Sequence, residues 1–228
     1  MKLLKKIWDA ILDILFPPLC LNCRKYLGES EKPSLLCDSC SNSIVINRSV
    51  LKISDPDFTL AAAGDYRNEA LKNLIHYFKY QGFLSAAGVL GKIIISHLEK
   101  SGLAHEFNED WLVIPMPLHR SRLRQRGFNQ SEKLAEIISR RFNLRLEKNL
   151  LQRRKNTLPQ ITFKTDRERL ENIKDAFSIN KKWGEKIRGR NVIMVDDVFT
   201  SGATVSEAVK ILRRAGARKI IALVAARA

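Results

Sequence analysis

Two adjacent carboxylates, Asp196 and Asp197, follow the apolar run Val192-Ile193-Met194-Val195 and precede Val198-Phe199-Thr200-Ser201-Gly202-Ala203-Thr204. A short β-branched run of this kind reads as a buried parallel strand. Beyond the turn, Val205, Ala208, Val209, Ile211 and Leu212 recur at helical spacing. Strand, small polar turn and helix N-terminus together make a phosphate site, because backbone N–H groups converge there and the helix dipole adds partial positive charge. Gly202 permits positive φ and close approach of backbone to ligand. Thr200, Ser201 and Thr204 add hydroxyl donors. The two acids would repel phosphate and suit ribose hydroxyls, a bound Mg²⁺, or both. Phosphate on the turn and a diol on the acids describe a phosphorylated sugar. The plainer reading is a strand with a polar cap and no ligand. Paired acids with no neighbouring cation make an odd structural choice of that kind.

The run from Val192 to Thr204 closely resembles the phosphoribosyl pyrophosphate (PRPP) motif of type I phosphoribosyltransferases. The resemblance implies that Asp196 and Asp197 hold the ribose 2′- and 3′-hydroxyls. It also implies that Thr200, Ser201, Gly202, Ala203 and Thr204 wrap the 5′-phosphate, with Mg²⁺ accompanying the ligand.

All four cysteines lie near the N-terminus as two knuckles, Cys20-x-x-Cys23 and Cys37-x-x-Cys40, thirteen residues apart. This spacing suits tetrahedral Zn²⁺ on four thiolates and leaves room for a hairpin between the knuckles. Disulfides are the alternative, and the chain shows no export signal that would favour them. Four thiolates leave no open coordination position, so the metal is expected to be structural. A segment this small would depend on it to fold.

A second informative stretch follows the buried run Trp111-Leu112-Val113-Ile114: Pro115-Met116-Pro117-Leu118-His119-Arg120-Ser121-Arg122-Leu123-Arg124-Gln125-Arg126-Gly127-Phe128-Asn129-Gln130. Four arginines at alternate positions sit in what reads as a loop at a strand's C-terminal end, the edge where parallel sheets bind ligands. The stretch resembles the ComF family of DNA-competence proteins. By that resemblance Pro117, Leu118 and His119 line the pyrophosphate, with Arg120 adjacent. The remaining arginines, Arg122, Arg124 and Arg126, become candidates for a single-stranded DNA track, with Phe128 as a stacking surface; a merely solvated basic loop is the alternative. Residues 152–172 are rich in charge and poor in apolar periodicity. The same resemblance implies a mobile loop here, carrying Arg167 and Arg169 and ending in Asn172, Ala176 and Phe177, that closes over PRPP and excludes water; a plain surface loop is the alternative.

These groups require an α/β frame. The 228 residues, 45% hydrophobic, suffice for one full domain and a small appendage. Residues 1–17 read as an amphipathic helix that docks on the next module or, through Trp8 and its lysines, touches a membrane surface. Residues 18–50 form a zinc-ribbon-like module, and a connector ends at Asp55-Pro56-Asp57. Residues 58–228 form a type I phosphoribosyltransferase-like domain of about five mostly parallel strands with helices on both faces, the ribbon packed beside the ligand edge. Strands are expected at Phe58–Ala63 and Lys219–Ala225, and helices at Glu69–Tyr80, Ser85–Leu98 and Ser131–Phe142. His76, His97 and His105 read as ordinary surface or core residues.

The 40 Lys+Arg against 24 Asp+Glu leave a net charge of +16, which favours polyanionic partners. No run is long enough to span a bilayer. The family resemblance implies a cytoplasmic competence protein that handles incoming single-stranded DNA, with contact to the inner membrane face or the competence machinery. Two alternatives are a phosphoribosyltransferase acting on a nitrogenous base and a PRPP sensor without turnover.

Overall fold

A computed structural model describes residues 13, 15–157, 165–180 and 183–228. The expected N-terminal helix lies almost wholly outside this set, as do residues 158–164 and the side chains of Arg167 and Arg169.

The central sheet has six strands in the order β1-β2-β8-β7-β3-β4: β1 (Leu51–Ser54), β2 (Asp57–Asp65), β3 (Trp111–Pro115), β4 (Arg145–Leu146), β7 (Asn191–Phe199) and β8 (Ile220–Arg227). Five run parallel, and β1 adds an antiparallel edge. Both faces of β7 are buried, Val192 and Met194 on one side, Ile193 and Val195 on the other. An unbroken apolar run is what a parallel strand covered on both faces needs.

One face carries α2 (Glu69–Tyr80), α3 (Ser85–Lys100) and α5 (Gln130–Phe142), which bury Leu71, Leu74, Phe78, Leu90, Ile94 and Leu134. The other carries α8 (Ala203–Arg214), the hairpin of β5 (Leu151–Arg153) with β6 (Phe177–Ile179), and the shorter α6 (Asp166–Ile173) and α7 (Gly184–Ile187). Within the described residues the strands expected at Phe58–Ala63 and Lys219–Ala225 and the helices expected at Glu69–Tyr80, Ser85–Leu98 and Ser131–Phe142 all form, each end within two residues of its predicted place, while β7 runs beyond its apolar run through both acids to Phe199.

Three expectations need correction. The arginine stretch is a helix, α4 (Arg120–Arg126), not a loop. The His119 ring accepts from the Ser121 N–H at its start, and Gly127 at φ +77° ends it by donating to the Leu123 carbonyl at 2.8 Å. The span 166–173 is likewise helical despite its weak apolar periodicity. Between the cysteine knuckles there is a single 3₁₀ turn, Lys32–Ser34, in place of a hairpin, while an isolated Leu19–Tyr26 bridge closes the first knuckle. A short helix, α1 (Asp38–Asn42), carries Cys40.

The cysteine module packs on α2 and α3. Asn73 donates to the Asn22 side chain at 2.9 Å, Arg24 bonds the Tyr77 hydroxyl, and Asn68 reaches the Ser43 carbonyl at 2.8 Å. His97 is fully buried and its Nδ1 lies 2.8 Å from the Asn47 carbonyl, fastening the connector to α3. The module thus touches α2 at its N-cap, its middle and its last turn, the last of which also carries Lys79.

Candidate functional site

The strand-to-helix turn after β7 has the form its residues require. Gly202 sits at φ +77°, and a Cβ there would lie 2.7 Å from the Phe199 ring. Only glycine fits this position, on both backbone and steric grounds. The turn opens the twelve-residue α8, whose first turn carries no acid to compete for an anion.

Asp196 and Asp197 stand at the end of β7, and each is held by partners the sequence did not reveal. The buried Ser131 hydroxyl, at the start of α5, donates to Asp196 Oδ1 at 2.8 Å, and the Asp197 N–H donates to the same oxygen at 2.9 Å. Lys79, near the end of α2, pairs with Asp197 Oδ1 at 2.8 Å. The premise that these acids lack a neighbouring cation is therefore wrong. Burial, then the adjacent Asp197, push the Asp196 carboxyl up to about 6 against the pull of Lys79 and Ser131. Burial works to lower Lys79, but its attraction and hydrogen bond to Asp197, with Asp196 behind, raise it overall. The site is a charge pair plus one surplus carboxylate, poised for a ligand that offers hydroxyls or a cation.

The pyrophosphate-loop candidates Pro117, Leu118, His119 and Arg120 begin beside this pair. Their leading residue, Met116, donates its N–H to the Val195 carbonyl at 2.8 Å, and Asn129 donates to the Met116 carbonyl at 3.1 Å. They also line a cleft of about 620 Å³ whose other wall includes Lys148 and Arg153. None of Asp196, Asp197 or residues 200–204 lines that cleft, so the loop separates two places for a ligand. The carboxylates and the glycine turn, which carry specific chemistry, define the site better than the cleft's size does.

Helix geometry divides the four arginines. Spacing of four puts Arg122 with Arg126 and Arg120 with Arg124 on different sides of α4. Arg120 lines the cleft. Arg122 donates to the Thr157 carbonyl at 2.8 Å, and Arg126 lies over the Tyr80 ring at 5.0 Å. Arg153, on β5, joins Arg122 at Thr157 by bonding its hydroxyl, and its buried Nε lacks a hydrogen-bond partner among the described residues. Burial and then the charge of Arg122 bring the Arg153 guanidinium down to about 10, with Asp196 pulling the other way. Two half-buried guanidinia that repel each other, Arg153 also feeling the Asp196 charge, offer strong donors to an anion. Phe128 packs against Phe78 with ring centroids 5.5 Å apart, so at least part of its surface is committed to the core and unavailable to a stacked base. Arg167 and Arg169 fall on α6, and their side chains lie outside the described set.

Lys79, Ser131 and Arg153 escaped the sequence reading. Ser131 directly follows the Gly-Phe-Asn-Gln run and could have been found there. Lys79 and Arg153 reach Asp196 and Asp197 only through folding.

The cysteines form the second centre. Their four sulfurs all lie within 4.8 Å of one another, with Cys23 and Cys37 at 3.6 Å. Sulfurs at ~2.3 Å from a tetrahedral Zn²⁺ stand about 3.8 Å apart, so the set fits that ion, and all four cysteines are free thiols. Burial opposes ionisation of Cys20, but the amides of Cys23, Cys37 and Asn22 bring it down to about 6. Asn22 also donates to the Cys40 sulfur at 3.3 Å, as a partner shell does around a ligating thiolate.

The comparisons with known proteins agree with this geometry. A model of the phosphoribosyl transferase domain matches residues 129–228. The chain is similar to Competence protein F of Haemophilus influenzae, 32% identical over 67% of this chain and 66% of that one. It is 30% identical to the DNA utilization protein YhgH of Escherichia coli O6:H1 over 71% and 68% of the two chains. With Competence protein ComFC of Streptococcus pneumoniae the identity is 26% over 67% and 61%. The chain thus spans about two thirds of the length of the relatives it matches. With a mostly parallel sheet, a PRPP-type turn after β7 and a four-cysteine module beside α2, it belongs to the ComF family of competence proteins with a phosphoribosyl transferase domain.

Proposed function

We propose that this protein binds PRPP at the end of β7 and handles incoming single-stranded DNA in the cytoplasm during natural transformation. The observation that carries the first half is the Asp196–Asp197 pair directly above a glycine turn at the N-terminus of α8. In this reading the carboxylates take the ribose 2′- and 3′-hydroxyls and residues 200–204 take the 5′-phosphate. Pro117–Arg120, with Arg122 and Arg153 nearby, take the diphosphate. Mg²⁺ bound with PRPP would neutralise diphosphate charge. Lys79 and Ser131 orient the two carboxylates in advance, which lowers the ordering cost of binding. The DNA half rests on the net charge of +16, on the arginine helix at the ligand edge, and on relatives named for competence and DNA utilization.

PRPP with Mg²⁺ at a hundredfold excess over Kd is expected to stabilise the zinc-loaded protein by about 2.7 kcal/mol. Asp196→Asn with Asp197→Asn abolishes that shift. No shift in wild type at millimolar PRPP would remove PRPP from the account.

One feature favours a second reading, transfer of the phosphoribosyl group to a nitrogenous base. The 620 Å³ cleft beside the pyrophosphate loop is within the size range of small-molecule pockets. Pyrophosphate release with a panel of bases distinguishes this reading; release with none leaves binding without turnover.

A further inference from the structure

Helix α2 has two stripes. The first, Leu71, Leu74, Ile75 and Phe78, is buried in the core and accounts for the helix's packing. On the second, His76 and Tyr80 are exposed, while Tyr77 between them is partly buried with one side against the core. Tyr80 is 64% exposed, and Phe83 just beyond the helix is 41% exposed. These rings are contiguous. His76 lies 5.0 Å from Tyr80 and 6.2 Å from Tyr77, and Tyr77 lies 6.3 Å from Phe83.

Each end of the group carries a guanidinium. Arg24, from the first cysteine knuckle, lies 5.5 Å from the Tyr77 ring centroid, and Arg126, from the end of α4, lies 5.0 Å from that of Tyr80. Among the described residues neither arginine has a carboxylate partner. The exposed rings of His76, Tyr80 and Phe83 with the partly buried Tyr77, flanked by two cations that have no carboxylate partner among the described residues on a protein of net charge +16, complement unstacked bases joined by phosphates.

We infer that His76, Tyr77, Tyr80 and Phe83, flanked by Arg24 and Arg126, form a stacking platform for single-stranded DNA running from the cysteine module to the mouth of the Asp196–Asp197 site. The inference rests on the DNA-handling reading above and assigns it a surface other than the arginine helix alone. Duplex DNA keeps its base faces stacked, so the platform selects single strands. It also gives the cysteine module a role: its knuckle supplies Arg24, held to Tyr77 by a hydrogen bond as well as by ring contact. Lys79, in the same segment of α2, pairs with Asp197. A strand on the platform therefore lies against the helix that orders the sugar site.

The test uses the full zinc-loaded chain and a fluorescein-labelled (dT)20 strand, read by anisotropy over a salt series, with a duplex of equal length as comparison. Wild type binds the single strand more tightly than the duplex. Tyr80→Ala with Phe83→Ala weakens single-strand binding at least about tenfold at every salt concentration and leaves the salt slope unchanged. Arg24→Ala with Arg126→Ala instead flattens the slope by about 1.4, at ~0.7 per phosphate contact. Both variants keep bound zinc and the PRPP-induced rise in Tm, and Leu51→Ala, an exposed apolar control, binds as wild type does. If wild type binds and the ring variant binds equally well, the strand lies elsewhere and the platform falls while the DNA reading stands. If wild type binds no oligonucleotide at low salt, both fall. A change in sedimentation of the ring variant would identify the patch as a self-association surface and overturn the inference.

Discussion

Lys79→Met tests the account of the acidic pair directly. The Lys79 and Asp197 side chains are 19% and 9% exposed and 2.8 Å apart, so this is a buried ion pair with a second carboxylate behind it. Removing one partner of such a pair costs about 3–5 kcal/mol, because the other charge stays buried. The lower end applies, since Lys79 keeps some contact with water. For a chain of this size ~1 kcal/mol moves Tm by 2–4 °C, giving a fall of about 6–12 °C at pH 8. Methionine preserves helix propensity and most of the side chain's volume, so the loss reports charge. The pH dependence follows from Asp196. A carboxyl whose folded pKa, about 6, lies above its ordinary 3.8 favours folding when protonated, and that contribution is lost as pH rises through 6. Without Lys79 the two acids share a proton more readily. The variant therefore loses less than half as much at pH 5 as at pH 8. Lys79→Met combined with Asp197→Asn recovers most of the deficit. Scanning fluorimetry at both pH values is sufficient. Equal losses at pH 5 and pH 8, or a double variant no better than the single, would refute the reasoning.

The cysteine module is expected to carry one Zn²⁺ per chain by elemental analysis. Cys37→Ser should release it and melt the module while the larger sheet still binds PRPP; two disulfides in protein kept under reducing conditions would contradict this. Gly202→Ala should destabilise by more than about 1 kcal/mol and sharply reduce PRPP binding, through strain at φ +77° and the clash with Phe199. A Tm within one degree of wild type would show that the turn relaxes freely. In carboxyl ¹³C spectra the resonance removed by Asp196→Asn should titrate near pH 6 in free protein, and PRPP should move that titration to lower pH as hydroxyls hydrogen-bond the ionised form.

Much was legible from short-range pattern alone. An unbroken apolar run, two acids, a glycine turn and a helical repeat name a strand, a site and a helix within a window of some twenty residues, because each physical requirement is local. The cysteine spacing is legible for the same reason: two knuckles fix their own geometry, and only their approach depends on the fold. The arginine stretch shows the limit. Alternation at every second position suggested an extended track, yet His119 and Gly127 cap a helix that sends Arg122 and Arg126 one way and Arg120 another. Tertiary structure alone brings Lys79 from α2, Ser131 from α5 and Arg153 from β5 around Asp196 and Asp197. No spacing rule joins residues whose meeting depends on how a sheet and its helices pack, and the ionisation of the acids is set by that meeting. Sequence determined which groups could hold a phosphorylated sugar and a metal; folding decided which charges face them.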